Sequence, residues 1–293
     1  MTRIIYHLAP PPRPVPALLR LQVLLGSPLS LFGWAFFGFG MIFFWAFGLA
    51  SVVDSLFLDR LPSRSAEGVL TGVRETNAKE NETPVFAYHF RFSGSDGRSY
   101  EGVSYRTGSS SHGQAGERVP VEYPAGRPEK AVISGMRRTT FGSMVLFVTL
   151  FPLIGLALAV PGFLQGMKGN HLLANGTPAL GKLKSKEPTN TRVNRQTVYR
   201  LKFAFQADNG RENEVQSRTP TPEVLEDEGE EPLLYDRNNP SYAVMLDSLP
   251  GSPSIDFSGQ LHPSGSVLSV LALAIPALSI LGNAAVLYFV FLR

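Results

Sequence analysis

Three stretches of this chain contain no Asp, Glu, Lys or Arg: residues 31–53, 141–167 and 266–292. The hydrocarbon core of a bilayer is roughly 30 Å thick and a helix rises about 1.5 Å per residue, so about 20 apolar residues cross it. Uncharged runs of this length predict three transmembrane helices, over 31–53, 141–163 and 267–291. Trp34 and Trp45 lie in the first, Pro152 and Pro161 in the second, and Pro276 and Tyr288 in the third. The first run exceeds the apolar region of a cleavable signal peptide, which ends at about 15 residues. It therefore reads as a signal-anchor, although Ala46-Phe47-Gly48 has the small-x-small form of a cleavage site. These runs explain a charged fraction of only 17%, where soluble domains carry about 25%. The absence of cysteine excludes disulfides, Cys-ligated zinc, iron–sulfur clusters and thiol catalysis.

The apolar runs also carry no ionisable group, which argues against a proton or ion path built from this chain alone. Asn283 is the only Asn in the third run and is the candidate for hydrogen bonding to a neighbouring helix. Gly33, Gly38, Gly40 and Gly48 are never four apart, so the first run offers no strict small-xxx-small seam. Residues 1–30 hold Arg3, Arg13 and Arg20 without an acid. A proline-rich stretch from Pro10 to Pro16 is expected to be stiff and extended. The apolar residues 17–25 either lie at the membrane interface or extend the first helix. The net charge is +3, but the basic excess sits at the chain ends. Residues 54–140 hold 12 basic against 11 acidic groups, and residues 168–265 hold 11 against 13. Neither polar segment has the basic footprint that nucleic acid requires, so no nucleic-acid partner is expected.

The two polar segments are copies. At a constant offset of 113, Gly68-Val69-Leu70 meets Gly181-Lys182-Leu183, Thr76-Asn77 meets Thr189-Asn190, and Asp96-Gly97-Arg98 meets Asn209-Gly210-Arg211. After a slip of one residue, Tyr123, Pro128 and Ala131-Val132 meet Tyr235, Pro240 and Ala243-Val244. In the first copy Phe86, Tyr88, Phe90 and Phe92 alternate with Val85, Ala87, His89 and Arg91, the period of a half-buried strand. Tyr199, Leu201, Phe203 and Phe205 repeat the inward face, with Arg200 and Lys202 outward. Ser95-Asp96-Gly97 and Asp208-Asn209-Gly210 are hairpin turns, because Gly, Asn and Asp tolerate positive φ. Each copy is expected to hold about five short antiparallel strands in a small barrel or sandwich.

The run Gly68-Val69-Leu70, Tyr88-His89-Phe90-Arg91-Phe92, Asp96-Gly97-Arg98, Val121-Glu122-Tyr123 and Arg127-Pro128-Glu129-Lys130-Ala131 resembles a bacterial domain family of unknown function. That family consists of small β modules attached to membrane helices. Residues 225–236 resemble members with two modules and three spans. The resemblance implies a protein of the bacterial cytoplasmic membrane. Its motifs are strand ends and turns, and it transfers no catalytic residue.

Chemistry is sparse. The five histidines have no ligand-like spacing, so neither a metal nor another cofactor is expected. Ser109, Ser110 and His112 lie in a Gly/Ser-rich loop. A Ser–His pair raises a hydrolase as a remote alternative, but adjacency supplies no orienting carboxylate, and a flexible hairpin loop is expected. Glu223, Glu226, Asp227, Glu228, Glu230 and Glu231 form the acidic counterpart in the second copy. Their spacing is not that of a calcium loop, and a solvated loop or a docking patch for a basic partner is expected. Loops that diverge on a kept frame are where binding differences concentrate. Ser109, Ser110, His112, Glu226, Asp227, Glu228, Glu230 and Glu231 are thus the candidate partner-binding residues.

The expected fold class is membrane α plus all-β. The layout is an N-terminal segment 1–30, a helix 31–53, a linker 54–66, module 67–136, a helix 141–163, a linker 164–178, module 179–249, a linker 250–265 and a helix 267–291. The basic N-terminal flank favours a cytoplasmic N-terminus, while Arg137 and Arg138 pull the other way. The expected function is a non-enzymatic membrane scaffold that presents its modules, one on each face, to unknown protein partners or to further copies of itself. An accessory subunit of a transporter, channel or envelope complex is the alternative.

Overall fold

The aromatic alternation at residues 85–92 becomes the inner strand of an antiparallel sheet in a computed structural model, which describes residues 8–109, 113–226 and 229–291. The chain begins with α1 (Ala17–Leu25), α2 (Pro28–Ala46) and α3 (Leu49–Leu58). The first module holds β1 (Ser63–Glu80), β2 (Thr83–Ser93), β3 (Ser99–Thr107), β4 (Arg118–Pro124) and β5 (Val132–Ile133). A 3-10 turn from Ser143 leads into α4 (Leu150–Asn175). The second module holds β6 (Thr177–Val193), β7 (Gln196–Gln206), β8 (Glu212–Thr219), β9 (Glu231–Tyr235) and β10 (Ala243–Met245). A hairpin of β11 (Pro253–Ile255) and β12 (Leu261–Pro263) precedes α5 (Val267–Leu271) and α6 (Ala274–Phe291). Among the described residues three helices are long and apolar enough to cross a membrane: Pro28–Ala46, Ser143–Asn175 and Val267–Phe289. The residues pack as two units, one formed by the chain up to Phe39 and from Pro152 onward, the other by Gly40–Phe151.

Each module is a five-stranded sheet, ordered β3-β2-β1-β4-β5 in the first and β10-β9-β6-β7-β8 in the second. The barrel is not closed. In the first module one backbone bridge, Tyr105 to Arg137, joins the β3 edge to the residues after β5. Leu70, Phe86, Tyr88, Phe90, Phe92, Val121 and Tyr123 form its core. Leu201, Phe203, Phe205, Val215, Leu233 and Tyr235 form the core of the second. Val85 and Ala87, expected outward, are buried as well, so the start of β2 is covered on both faces.

The duplication extends to single hydrogen bonds. β1 slips register against β2 between Leu70 and Gly72, and β6 slips against β7 between Leu183 and Ser185, at the same offset. Thr76 Oγ1 donates to the Val85 carbonyl at 2.8 Å, and Thr189 Oγ1 donates to that of Val198 at 2.7 Å. Two-residue turns at Asn81-Glu82 and Asn194-Arg195 have positive φ at both positions, which suits the right-handed twist of a hairpin. These turns make β1 and β6 longer than the repeated motifs alone indicate. The tyrosines that end β4 and β9 act alike. Tyr123 accepts from the Ser95 N–H and Tyr235 from the Asp208 N–H, both at 3.0 Å.

Several boundaries differ from the sequence reading. The first apolar run does not form one helix: α2 ends at Ala46 and α3 starts after Gly48, whose φ of +60° few side chains adopt. In α3, Leu49, Val52 and Leu58 are buried, while Asp54 pairs with Lys130 at 3.2 Å and Asp59 with Arg138. Residues 17–25 are not an extension of the first span. The Gly26-Ser27-Pro28 break separates them as α1, and Leu19 and Val23 join Leu172, Leu234, Leu249 and Leu261 in a core of their own. Residues 164–178 are no linker, because α4 runs to Asn175 and β6 starts at Thr177. Residues 250–265 contain the β11–β12 hairpin, which supplies Leu261 to that core.

Candidate functional site

The two diverged loops occupy matching places on the frame. Ser109 is exposed, and Ser110 and His112 lie outside the described residues. The far end of this loop is pinned to β1: the Gly116 N–H donates to the Leu70 carbonyl and the Leu70 N–H to that of Glu117, both at 2.8 Å.

The acidic stretch is not uniformly solvated. Residues 222–225 form a 3-10 turn with Pro222 and Leu225 buried. Glu226 is half-buried and accepts from Lys186 Nζ at 2.7 Å. The same ammonium lies over the Tyr199 ring, 5.1 Å from its centroid. Glu230 is exposed, whereas Glu231 begins β9 and is only 2% exposed. Asp227 and Glu228 lie outside the described residues. Glu226 and Glu231 are therefore held by the frame, and Glu223 and Glu230 are the acids that the described part presents to solvent. Among the described residues no group of three or more His, Asp or Glu could hold a metal.

Asn283 donates to the Ser279 carbonyl of its own helix at 2.7 Å. Ser279 links α6 to α2: its Oγ donates to the Trp34 carbonyl at 2.8 Å. A side chain added at Gly38 would fall on the same Ser279.

A stripe of small residues runs along α4: Gly155, Ala159, Gly162, Gly166 and Gly169, all buried, the first three against α2 and the last two against α1. Their spacing alternates four and three, which keeps them on one face. A Cβ on Gly155 would fall on the Phe37 backbone, 2.7 Å from its Cα. One on Gly166 would meet the Val23 carbonyl oxygen at 2.5 Å. Close backbone approach of this kind is how apolar helices associate when their surroundings are equally apolar.

Arg13, read from sequence as a membrane flank, is buried. Its Nη2 donates to the Gly176 carbonyl at 2.7 Å, its Nη1 to Leu173 at 3.2 Å and its Nε to Ala9 at 2.8 Å. The guanidinium thus caps the C-terminal end of α4, where carbonyls lack helical partners and the helix dipole favours a cation.

Three cavities differ in charge. One of about 200 Å³ in the Gly40–Phe151 unit is lined by Asp54, Glu129, Lys130 and Arg138. Its charges are matched in sign, and Lys130 and Arg138 are paired. A second, of about 210 Å³, is lined by His89 and by the cross-strand pair Arg91–Glu101, 2.6 Å apart. The third, of about 520 Å³, lies where α2, α4 and the second module meet. Among the described residues it is lined by Lys168 and Arg218 and by no acid.

No protein-family model matches the chain, and no curated protein does. Among solved structures, it is similar to a chain of a replication protein A heterotrimer bound to ssDNA, at 8% identity and a TM-score of 0.17. That match covers 73% of this chain, which spans about half of the other, 51%. A likeness this slight carries no argument about fold or function.

Proposed function

We propose that this protein is a non-enzymatic integral scaffold of the bacterial cytoplasmic membrane. Three apolar helices anchor it, and two copies of one β module engage protein partners, one on each face of the bilayer. The N-terminus and second module lie in the cytoplasm, and the first module lies outside. The observation that carries this reading is the contrast between frame and loops. The frame is duplicated down to the Thr76 and Thr189 hydrogen bonds, while one copy has a neutral Ser/Gly loop where the other has an acidic segment. A kept scaffold with changed loops suits two binding modules with different partners. A further support is that the N-terminal arm and the second module share one core. This is the parity that a single crossing between the modules requires.

The test places a paired reporter, active on only one side of the membrane, at Ser109 in one protein and at Gly229 in another. Opposite faces are expected. The same face for both would overturn the two-sided scaffold. Turnover of a substrate by the purified protein, abolished by a substitution in one loop, would overturn the non-enzymatic part.

A further inference from the structure

The apolar surface of α4 gives way to polar residues around position 165. Leu164 and Met167 are exposed large apolar side chains, while Gln165 and Lys168 follow the same turn. At this boundary lies the cavity of about 520 Å³, within the range of roughly 300–1,000 Å³ found for ligand pockets. Its polar walls are Ser27, Gln165, Lys168, Gln216, Arg218 and Ser248.

Both charged groups are cations. Among the described residues neither Lys168 nor Arg218 has a carboxylate partner, and the Lys168 ammonium lies over the Tyr242 ring at 4.7 Å. The sheet adds to the excess. Arg218 on edge strand β8 pairs directly with Arg200 on β7, and Gln216 pairs with Lys202, so these side chains share one face. Glu187 lies 3.9 Å from Arg200 and offsets one of the two arginines. Like charges directly opposite in a sheet are unfavourable without a counter-charge. The framework does not require this arrangement. The matching pair in the first module is Ala87 opposite Tyr105.

We propose that this cavity binds the phosphodiester headgroup of an anionic lipid. Lys168 and Arg218 would neutralise the phosphate, and Gln165 and Gln216 would supply neutral hydrogen bonds. The acyl chains would run along the apolar surface of α4 beside Leu164. Arg and Lys are the side chains that suit phosphate, through charge-assisted hydrogen bonds. A soluble phosphate ester shares the headgroup chemistry but has no use for the adjoining apolar surface. The inference rests on the membrane part of the reading above. The two fail separately, since reporters test the crossing and lipid binding tests the cavity.

The test titrates the detergent-purified full chain with phosphatidylglycerol, phosphatidylcholine and inorganic phosphate, with bound lipid read by native mass spectrometry. Phosphatidylglycerol is expected to bind about tenfold more tightly than phosphatidylcholine, a factor worth ~1.4 kcal/mol. The K168Q/R218Q protein is expected to lose that preference. Arg211→Gln, an exposed change near the β7–β8 turn, is expected to keep it. Thermal unfolding in phosphatidylcholine checks that the variants fold. If the double variant does not fold, R218Q on its exposed edge strand carries the test, with an expected loss of about threefold. Equal binding of the two lipids, or a preference that survives these substitutions, overturns the proposal. Inorganic phosphate that displaces phosphatidylglycerol at equal concentration overturns the lipid in favour of a soluble phosphate ester.

Discussion

Arg13 has 4% of its surface exposed and donates three hydrogen bonds to backbone carbonyls. Truncation would leave carbonyls at the end of α4 without their donor, in a site closed to water. Arg13→Ala is expected to cost about 3 kcal/mol, from charge-assisted bonds lost and acceptors left unpaired. Limited proteolysis checks this: the arm before α1 should become cleavable while the first module resists as before. Glu80 offers a pH-dependent counterpart in the other unit. Burial pushes its carboxyl pKa up, but the Gly142 N–H, the Thr107 hydroxyl and Arg137 together outweigh burial and hold it below the ordinary value. Arg137 Nη1 lies 2.8 Å from the carboxylate. A carboxyl with a depressed folded pKa stabilises fully above its unfolded pKa of about 4.3, and that contribution is lost as pH falls through the lower folded value. Glu80→Gln should therefore lower the unfolding midpoint at pH 7 by an amount equivalent to about 1 kcal/mol. The gap to the parent protein should narrow as the pH is taken down through that window. A constant gap across the acid range would show that Glu80 acts through shape alone.

Packing of the apolar helices depends on α4. At Gly155 the α2 backbone, and at Gly166 the α1 backbone, approach to where a Cβ would clash with main-chain atoms rather than flexible side chains. Gly155→Leu cannot be relieved by a rotamer change, and a loss of ~3 kcal/mol is expected. The same change at Gly282, whose Cβ position meets nothing within 4 Å, is expected to stay within about 0.5 kcal/mol. Thermal unfolding in detergent compares the two. This seam was open to sequence reading, because the four-three spacing of 155, 159, 162, 166 and 169 is visible there. A search of the first run alone misses it. The sheets were more legible. A constant offset with alternating aromatics implies the same strands twice, since the period of two assigns each residue to a face. What the pattern could not give is which apolar residues meet across elements. Leu19 and Leu172 look like any other leucines until the chain folds them together. The Asn283 amide donates to the Ser279 carbonyl one turn before it in its own helix.

Which segments share a core restricts the order that any membrane crossings can take. Val15, Leu19 and Val23 from the arm meet Leu172 and Leu173 of α4, Leu234, Leu246 and Leu249 of the second module and Leu261 of the β11–β12 hairpin. Gln22 Nε2 adds a 3.0 Å bond to Ser269 Oγ at the start of the last apolar helix. Residues that share a dry core must lie on the same side of any bilayer. The arm, the second module and the entrance to the last helix therefore form one group. This argument does not use the positive-inside bias. It also weakens the charge-based case, because Arg13 is a helix cap and Arg137 and Arg138 are paired with Glu80 and Asp59. In sealed vesicles of one orientation, protease sites inserted before Pro10 and at Gly229 should be cut from the same side, and one at Ser109 from the other. Leu19 is fully buried, so Leu19→Ala should cost roughly 2–5 kcal/mol. That loss should appear as faster cleavage at Gly229 without a change at Ser109. Cleavage at the arm and at Gly229 from opposite sides would break the shared core, and the two-sided scaffold with it.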